Sequence, residues 1–166
     1  MLGGGGVSFA DESSLALPPD GRQSGTAVMI ARGVRRLLRA RGFSSLTELR
    51  LIDGRRADIV AVNDAGEVLI VEIKSSPEDL RADRKWRAYA RCCDRLYFAV
   101  SAATAAEMAP AEAGLILADS YGAEIVREAD LRPLASASRR ALLLRFAQAA
   151  ADRLHRLADP AGAPEF

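Results

Sequence analysis

The chain has 166 residues, 49% of them hydrophobic and 27% charged, and a formal net charge of +1. That length suits one domain with a core of ordinary size, and the composition is that of a soluble globular protein. The near-neutral balance excludes a binder that works through a strong overall positive field, so any nucleic-acid contact has to come from local arginine clusters.

In chain order, residues 1–22 mix glycine, proline and small polar residues without a period and read as a flexible N-terminal arm. Residues 23–158 read as one domain, and 159–166 as a frayed tail. A first helix is expected from about Ser24 to Arg41, with Val28, Ile30, Ala31, Val34, Leu37 and Leu38 on its apolar face and Gly42 closing it. "LTELRLIDGRRADIVAVNDAGEVLIVEIK" then gives three short β-type runs separated by Asp-Gly and Asp-Ala-Gly turns, a meander. "SSPEDL" opens a second helix, with Ser76 as N-cap, Pro77 in the first turn and acids that complement the helix dipole, and this helix is expected to reach Cys93. "RLYFAVS", "AGLILADS" and "AEIVREA" read as three further strands, and a last helix covers about Ser136 to Leu157. The second and third meander strands are apolar on both faces, which places them at the centre of a sheet covered by helices on both sides. The expected class is an α/β sandwich with a mixed sheet.

Cys92 and Cys93 are the two cysteines, adjacent within a helical pattern, and read as half-buried thiols of a reducing compartment. No apolar run approaches the roughly 18 residues of a membrane span, and the N-terminus lacks the basic-then-apolar order of a signal peptide, so a cytoplasmic location is expected.

Lysine occurs twice, at Lys74 and Lys85, among 23 basic residues. Lys74 ends an apolar run, and the hairpin register explains why that position matters. If Asp64-Ala65-Gly66 is a three-residue loop with Gly66 left-handed, Asn63 pairs with Glu67 and Asp58 falls opposite Glu72, with their carbons about 5 Å apart. Lys74 projects from the same face, because strand side chains alternate. Two carboxylates buried together need neutralising, and hard oxygen donors suit Mg²⁺ or Mn²⁺, which keep waters and recruit phosphate oxygens. The ammonium can then hold an attacking water or stabilise phosphoryl charge, work that a compact, shiftable amine does better than a fixed guanidinium. The competing reading is a salt bridge at a sheet end, with Lys74 emerging to solvent.

Asp58 and Glu72-Ile73-Lys74 resemble the motif of the PD-(D/E)xK phosphodiesterase superfamily: an acid on one strand, a turn, then Glu-x-Lys at the end of the next. Ala57 stands where that motif often has proline. The resemblance implies a restriction-endonuclease-like fold, a Mg²⁺ or Mn²⁺ held by Asp58, Glu72 and the Ile73 carbonyl, and Lys74 as the residue that manages the nucleophile. More narrowly, "TELRLIDGRRADIVAV", "VEIKSS", "DLRADRKWRAYARCCDRLYFAV" and "GLILADSYGAEIVREA" resemble the MmcB family of DNA-repair-related bacterial proteins, over about residues 28–155. That resemblance implies action on DNA, alongside other repair proteins.

Further candidates surround this motif. Glu48 lands beside Asp58 if Ile52-Asp53-Gly54 is a three-residue loop, and faces the other way if Asp53-Gly54 is a two-residue turn. Asp83-Arg84-Lys85 repeats the acid-x-Lys pattern but falls in the expected helix, where side chains two apart diverge by about 200°. Lys85, with Arg81, Trp86 and Tyr89, reads either as a surface for phosphates and a base or as a solvated face with aromatic core anchors. Arg55 and Arg56 enter the strand that carries Asp58, where a phosphate backbone would pass. His155 is the one histidine, so no histidine-based zinc site or catalytic triad can be assembled. It lies on the last helix, which reads as packing or a homodimer surface. The activity expected is metal-dependent phosphodiester hydrolysis on DNA. Its rivals are an inactive DNA-binding or repair-complex subunit and an interaction module with a structural ion pair.

Overall fold

The computed structural model describes residues 25–83, 85–102 and 109–160, so the expected N-terminal arm and most of the expected tail lie outside the described residues. In chain order the elements are α1 (Gly25–Ala40), β1 (Ser44–Arg50), β2 (Arg56–Val62), β3 (Val68–Lys74), α2 (Pro77–Ala82), α3 (Trp86–Ala90), β4 (Arg95–Val100), β5 (Gly114–Ala118), β6 (Ala123–Arg127) and α4 (Ser136–Ala158). The strands form one mixed sheet in the order β1-β2-β3-β4-β5-β6. The β1–β2, β2–β3 and β5–β6 pairs are antiparallel, while β3–β4 and β4–β5 are parallel.

Two cores sandwich this sheet, which is the expected α/β class. On one face, Ile30, Val34 and Leu38 of α1 pack on Ile59, Val71, Tyr97 and Ile116. On the other, Leu80, Trp86 and Leu142, from α2, α3 and α4, pack on Val60, Ile70, Phe98 and Leu115. Because side chains alternate along a strand, Asp58, Glu72 and Lys74 share the second face with Val60, Ile70 and Phe98. Among the described residues no helix is long and apolar enough to cross a membrane.

One expectation is corrected. The helix that follows the motif does not run unbroken to Cys93: α2 ends at Ala82, Asp83 adopts an extended conformation (φ −74°, ψ 99°), and α3 starts at Trp86. Its start is as expected, with the Asp79 N–H donating to the Ser76 hydroxyl at 3.1 Å and Pro77 in the first turn. The break follows from Asp83 itself, whose Oδ1 accepts the Lys85 N–H at 2.8 Å, a local bond that competes with the helical one.

Candidate metal and nucleic-acid site

The β2–β3 loop sets the register. Gly66 has φ +76°, the Gly66 N–H donates to the Asn63 carbonyl at 3.0 Å, and the Asn63 N–H donates to the Glu67 carbonyl at 3.3 Å. From there the ladder runs Val62↔Val68, Ala61↔Leu69, Val60↔Ile70 and Ile59↔Val71, which leaves Asp58 facing Glu72. At that point the acids replace the backbone ladder. In an antiparallel pair every second residue couple exchanges backbone bonds, so Ala57 and Ile73 would be the next bonded couple. Instead, the Ile73 N–H donates to Asp58 Oδ2 at 2.7 Å, and the Asp58 N–H donates to Glu72 Oε1 at 3.3 Å. The two carboxylates are thus fastened to the main chain where the pairing of β2 with β3 ends.

Glu48 joins them from β1. Thr47↔Ile59 and Leu49↔Ala57 fix the longer-loop register, which puts Glu48 level with Asp58. Gly54 has φ +84°, and the Leu51 N–H closes the loop on the Arg55 carbonyl at 2.7 Å. Glu48 itself has φ +53°, the one positive φ among the described non-glycine residues. Such backbone is costly for a side-chain-bearing residue and persists where the surroundings impose it. Here α4 does so: Arg153 donates to the Thr47 carbonyl at 2.6 Å, and Arg145 donates to the carbonyls of Arg50 and Leu51 at 3.1 and 3.0 Å. The Glu48 carboxylate forms an ion pair with Arg56.

The electrostatics are those of acids without enough cation. Glu72 is 4% exposed. Burial, then the neighbouring Asp58 charge, pushes its carboxyl up to about 8, against the opposing pull of Lys74 and the Asp58 N–H. Asp58 is pushed up in the same way by burial and by Glu48, while the Ile73 N–H, Lys74 and Arg56 pull it down. The Lys74 ammonium lies 2.5 Å from Asp83 Oδ2 and 5.8 Å from the centre of the Phe98 ring. The Tyr89 hydroxyl donates to the Arg56 carbonyl at 3.1 Å. Burial, followed by the charges of Glu72, Asp58 and Asp83, pushes this phenol up to about 12.

Asp58, Glu72, Lys74, Glu48 and Tyr89 therefore come together. Asp83 belongs with them, through its ion pair with Lys74, at a position that the sequence pattern assigns to helix. Trp86 does not join the site: it is 6% exposed, packs in the core and carries Arg87 over its ring at 4.7 Å, so a base cannot stack on it. Arg81 and Lys85 are exposed, and so are Arg55, which pairs with Asp53, and Arg56, which pairs with Glu48.

Among the described residues, no three or more His, Cys, Asp or Glu side chains converge as a ready-made cage for a cation. The buried Glu72 and half-buried Asp58, both short of positive charge, nevertheless fit Mg²⁺ or Mn²⁺. These ions take oxygen donors, and Mg²⁺ is ordinarily held by one or two carboxylates with waters filling the other positions.

Comparison with known proteins adds two findings. A family model described as DNA repair protein MmcB-like matches residues 15–161. The solved structure of a protein of unknown function from Silicibacter pomeroyi is 44% identical, with a TM-score of 0.82 over 87% of this chain and 99% of that one. No curated protein matches.

Proposed function

Because the chain belongs to the MmcB-like DNA repair protein family, we propose that it acts in DNA repair by metal-dependent hydrolysis of phosphodiester bonds. The single observation that carries this reading is the placement of Asp58 and Glu72 side by side where the β2–β3 ladder ends, with Lys74 on the same face. Asp58, Glu72 and the Ile73 carbonyl would hold Mg²⁺ or Mn²⁺. When bound, such an ion supplies the positive charge the two acids lack and polarises a phosphoryl oxygen.

The chain's own residues supply the rest. Glu72 gives up the proton that burial lets it keep near neutral pH, which couples cation uptake to proton release. The Lys74 ammonium donates hydrogen bonds to the attacking water or to the phosphoryl oxygens as charge develops there. Tyr89 stays protonated across the working range, and its hydroxyl holds the Arg56 carbonyl at the rim. Arg55 and Arg56, exposed at the entrance to β2, with Arg81 and Lys85 beyond the motif, give phosphate contacts that position the strand without reading its bases.

The test is cleavage of single-stranded, duplex, flapped and branched DNA in Mg²⁺ or Mn²⁺ by wild type and Lys74→Ala. Cleavage by the wild type that is lost by about 10²-fold or more in the variant is the expected result. DNA binding without cleavage points instead to an accessory subunit that kept the fold, and neither binding nor cleavage points to an interaction module.

A further inference from the structure

We propose that Asp83 is the positioning residue for Lys74, and that the break between α2 and α3 exists to deliver it. This inference rests on the function proposed above for Lys74 and extends it to a residue outside the Asp58, Glu72-Ile73-Lys74 motif.

Lys74 is the last residue of β3, and its long side chain loses rotational freedom about four bonds when the ammonium is held in one place. Left alone, its ammonium would move to the nearest uncompensated negative charge, the Asp58 and Glu72 pair, both of which already feel its field. An amine seated between those acids would compete with a divalent cation for the same oxygens. Asp83 prevents this. Its Oδ2 holds the ammonium at 2.5 Å, and the Phe98 ring lies 5.8 Å from the same nitrogen. The two side chains are 14% and 8% exposed, so solvent and salt screen this pair far less than a surface ion pair.

The other oxygen of the same carboxylate builds the break. Oδ1 accepts the Lys85 N–H at 2.8 Å and turns the chain out of α2. One side chain thus performs two tasks that substitution can separate. Asparagine keeps an oxygen for the Lys85 N–H and loses the charge that holds Lys74, whereas glutamate keeps the charge.

The chain's two lysines make the experiment direct, because ¹⁵N-lysine labelling gives only two side-chain ammonium signals. In the full, metal-free chain, the Lys74 signal is expected to be sharp in wild type, lost to exchange in Asp83→Asn and restored in Asp83→Glu. The unfolding midpoint of Asp83→Asn should stay within about 3 °C of wild type. Mn²⁺ titration should show about fivefold weaker binding to Asp83→Asn, the size of a modest coupling between neighbouring sites. A Lys74 signal unmoved by Asp83→Asn, or an unchanged Mn²⁺ affinity in that variant, overturns the assignment. A wild type that takes up no Mn²⁺ overturns the cation reading, while the ammonium spectrum still decides which group holds the amine.

Discussion

Glu72 and Asp94 are the two charged residues buried among the described ones, 4% and 3% exposed, and they have opposite surroundings. Asp94 lies just ahead of β4 and accepts from the Val68 N–H at 2.8 Å, from the Leu134 N–H at 2.8 Å and from both terminal nitrogens of Arg139 at 2.6 and 2.7 Å. Burial alone would raise its carboxyl, but Arg139 and these N–H groups outweigh it and hold Asp94 below the usual carboxylate range. Glu72, with Asp58 beside it and the nearest ammonium diverted to Asp83, is pushed the other way. A buried acid with a full set of donors acts as a rivet, here fixing the start of α4 to β3 and β4. A buried acid left short of positive charge lowers the stability of the metal-free protein, and under the function proposed above a bound cation would relieve that cost.

The largest effect that tests this contrast is on stability. Asp94→Ala takes the carboxylate from Arg139, leaving it the Gly66 and Leu134 carbonyls, and strands two backbone donors, and should cost about 3 kcal/mol in urea unfolding. Glu72→Gln should have the opposite sign, stabilising the metal-free chain by about 1–2 kcal/mol at pH 8, because it removes an uncompensated charge. If both substitutions destabilise alike, the contrast is lost.

The next test is pH. The folded chain keeps the Glu72 proton up to about 8, whereas the unfolded chain loses it near the ordinary value of 4.5. Between those values the folded state binds the extra proton, so metal-free stability should fall as pH rises, by about 1.4 kcal/mol per unit at the steepest. Glu72→Gln should flatten that slope. Asp94 works in the other direction: its contribution is present above the unfolded carboxylate value of 3.8 and is lost as pH falls below it. Denaturant midpoints measured from pH 2 to 9 separate the two.

The smallest effects belong to the exposed cations. Arg55→Ala and Lys85→Ala should each weaken DNA binding only a few-fold, equally across sequences, and lower the slope of log affinity against log salt by about 1. A sequence-dependent loss would mean that these residues read bases.

Much of this is legible in the sequence alone. The Asp64-Ala65-Gly66 loop sets the register of β2 and β3 by itself, because a left-handed glycine in a three-residue loop leaves one pairing, and that pairing puts Asp58 against Glu72. Glu48 was undecidable by the same reasoning, since one residue more or less in the loop around Asp53 turns it to the other face, and only the observed Thr47↔Ile59 pairing chooses. The break at Asp83 did leave a trace. Continuing the helical stripe from Leu80 by three, four and seven residues reaches Asp83, Arg84 and Arg87, all charged, while the buried Trp86 is out of phase. Asp94 left none, because its partner Arg139 is 45 residues away in sequence and no local pattern announces the pair.

Calorimetric titration of Mn²⁺ into wild type and Glu72→Ala at pH 7.5 tests most directly whether the Asp58 and Glu72 pair is a cation site. The account predicts one binding event in wild type, accompanied by proton release, and none in Glu72→Ala. Identical isotherms for the two proteins, whether silent or saturating, would contradict it.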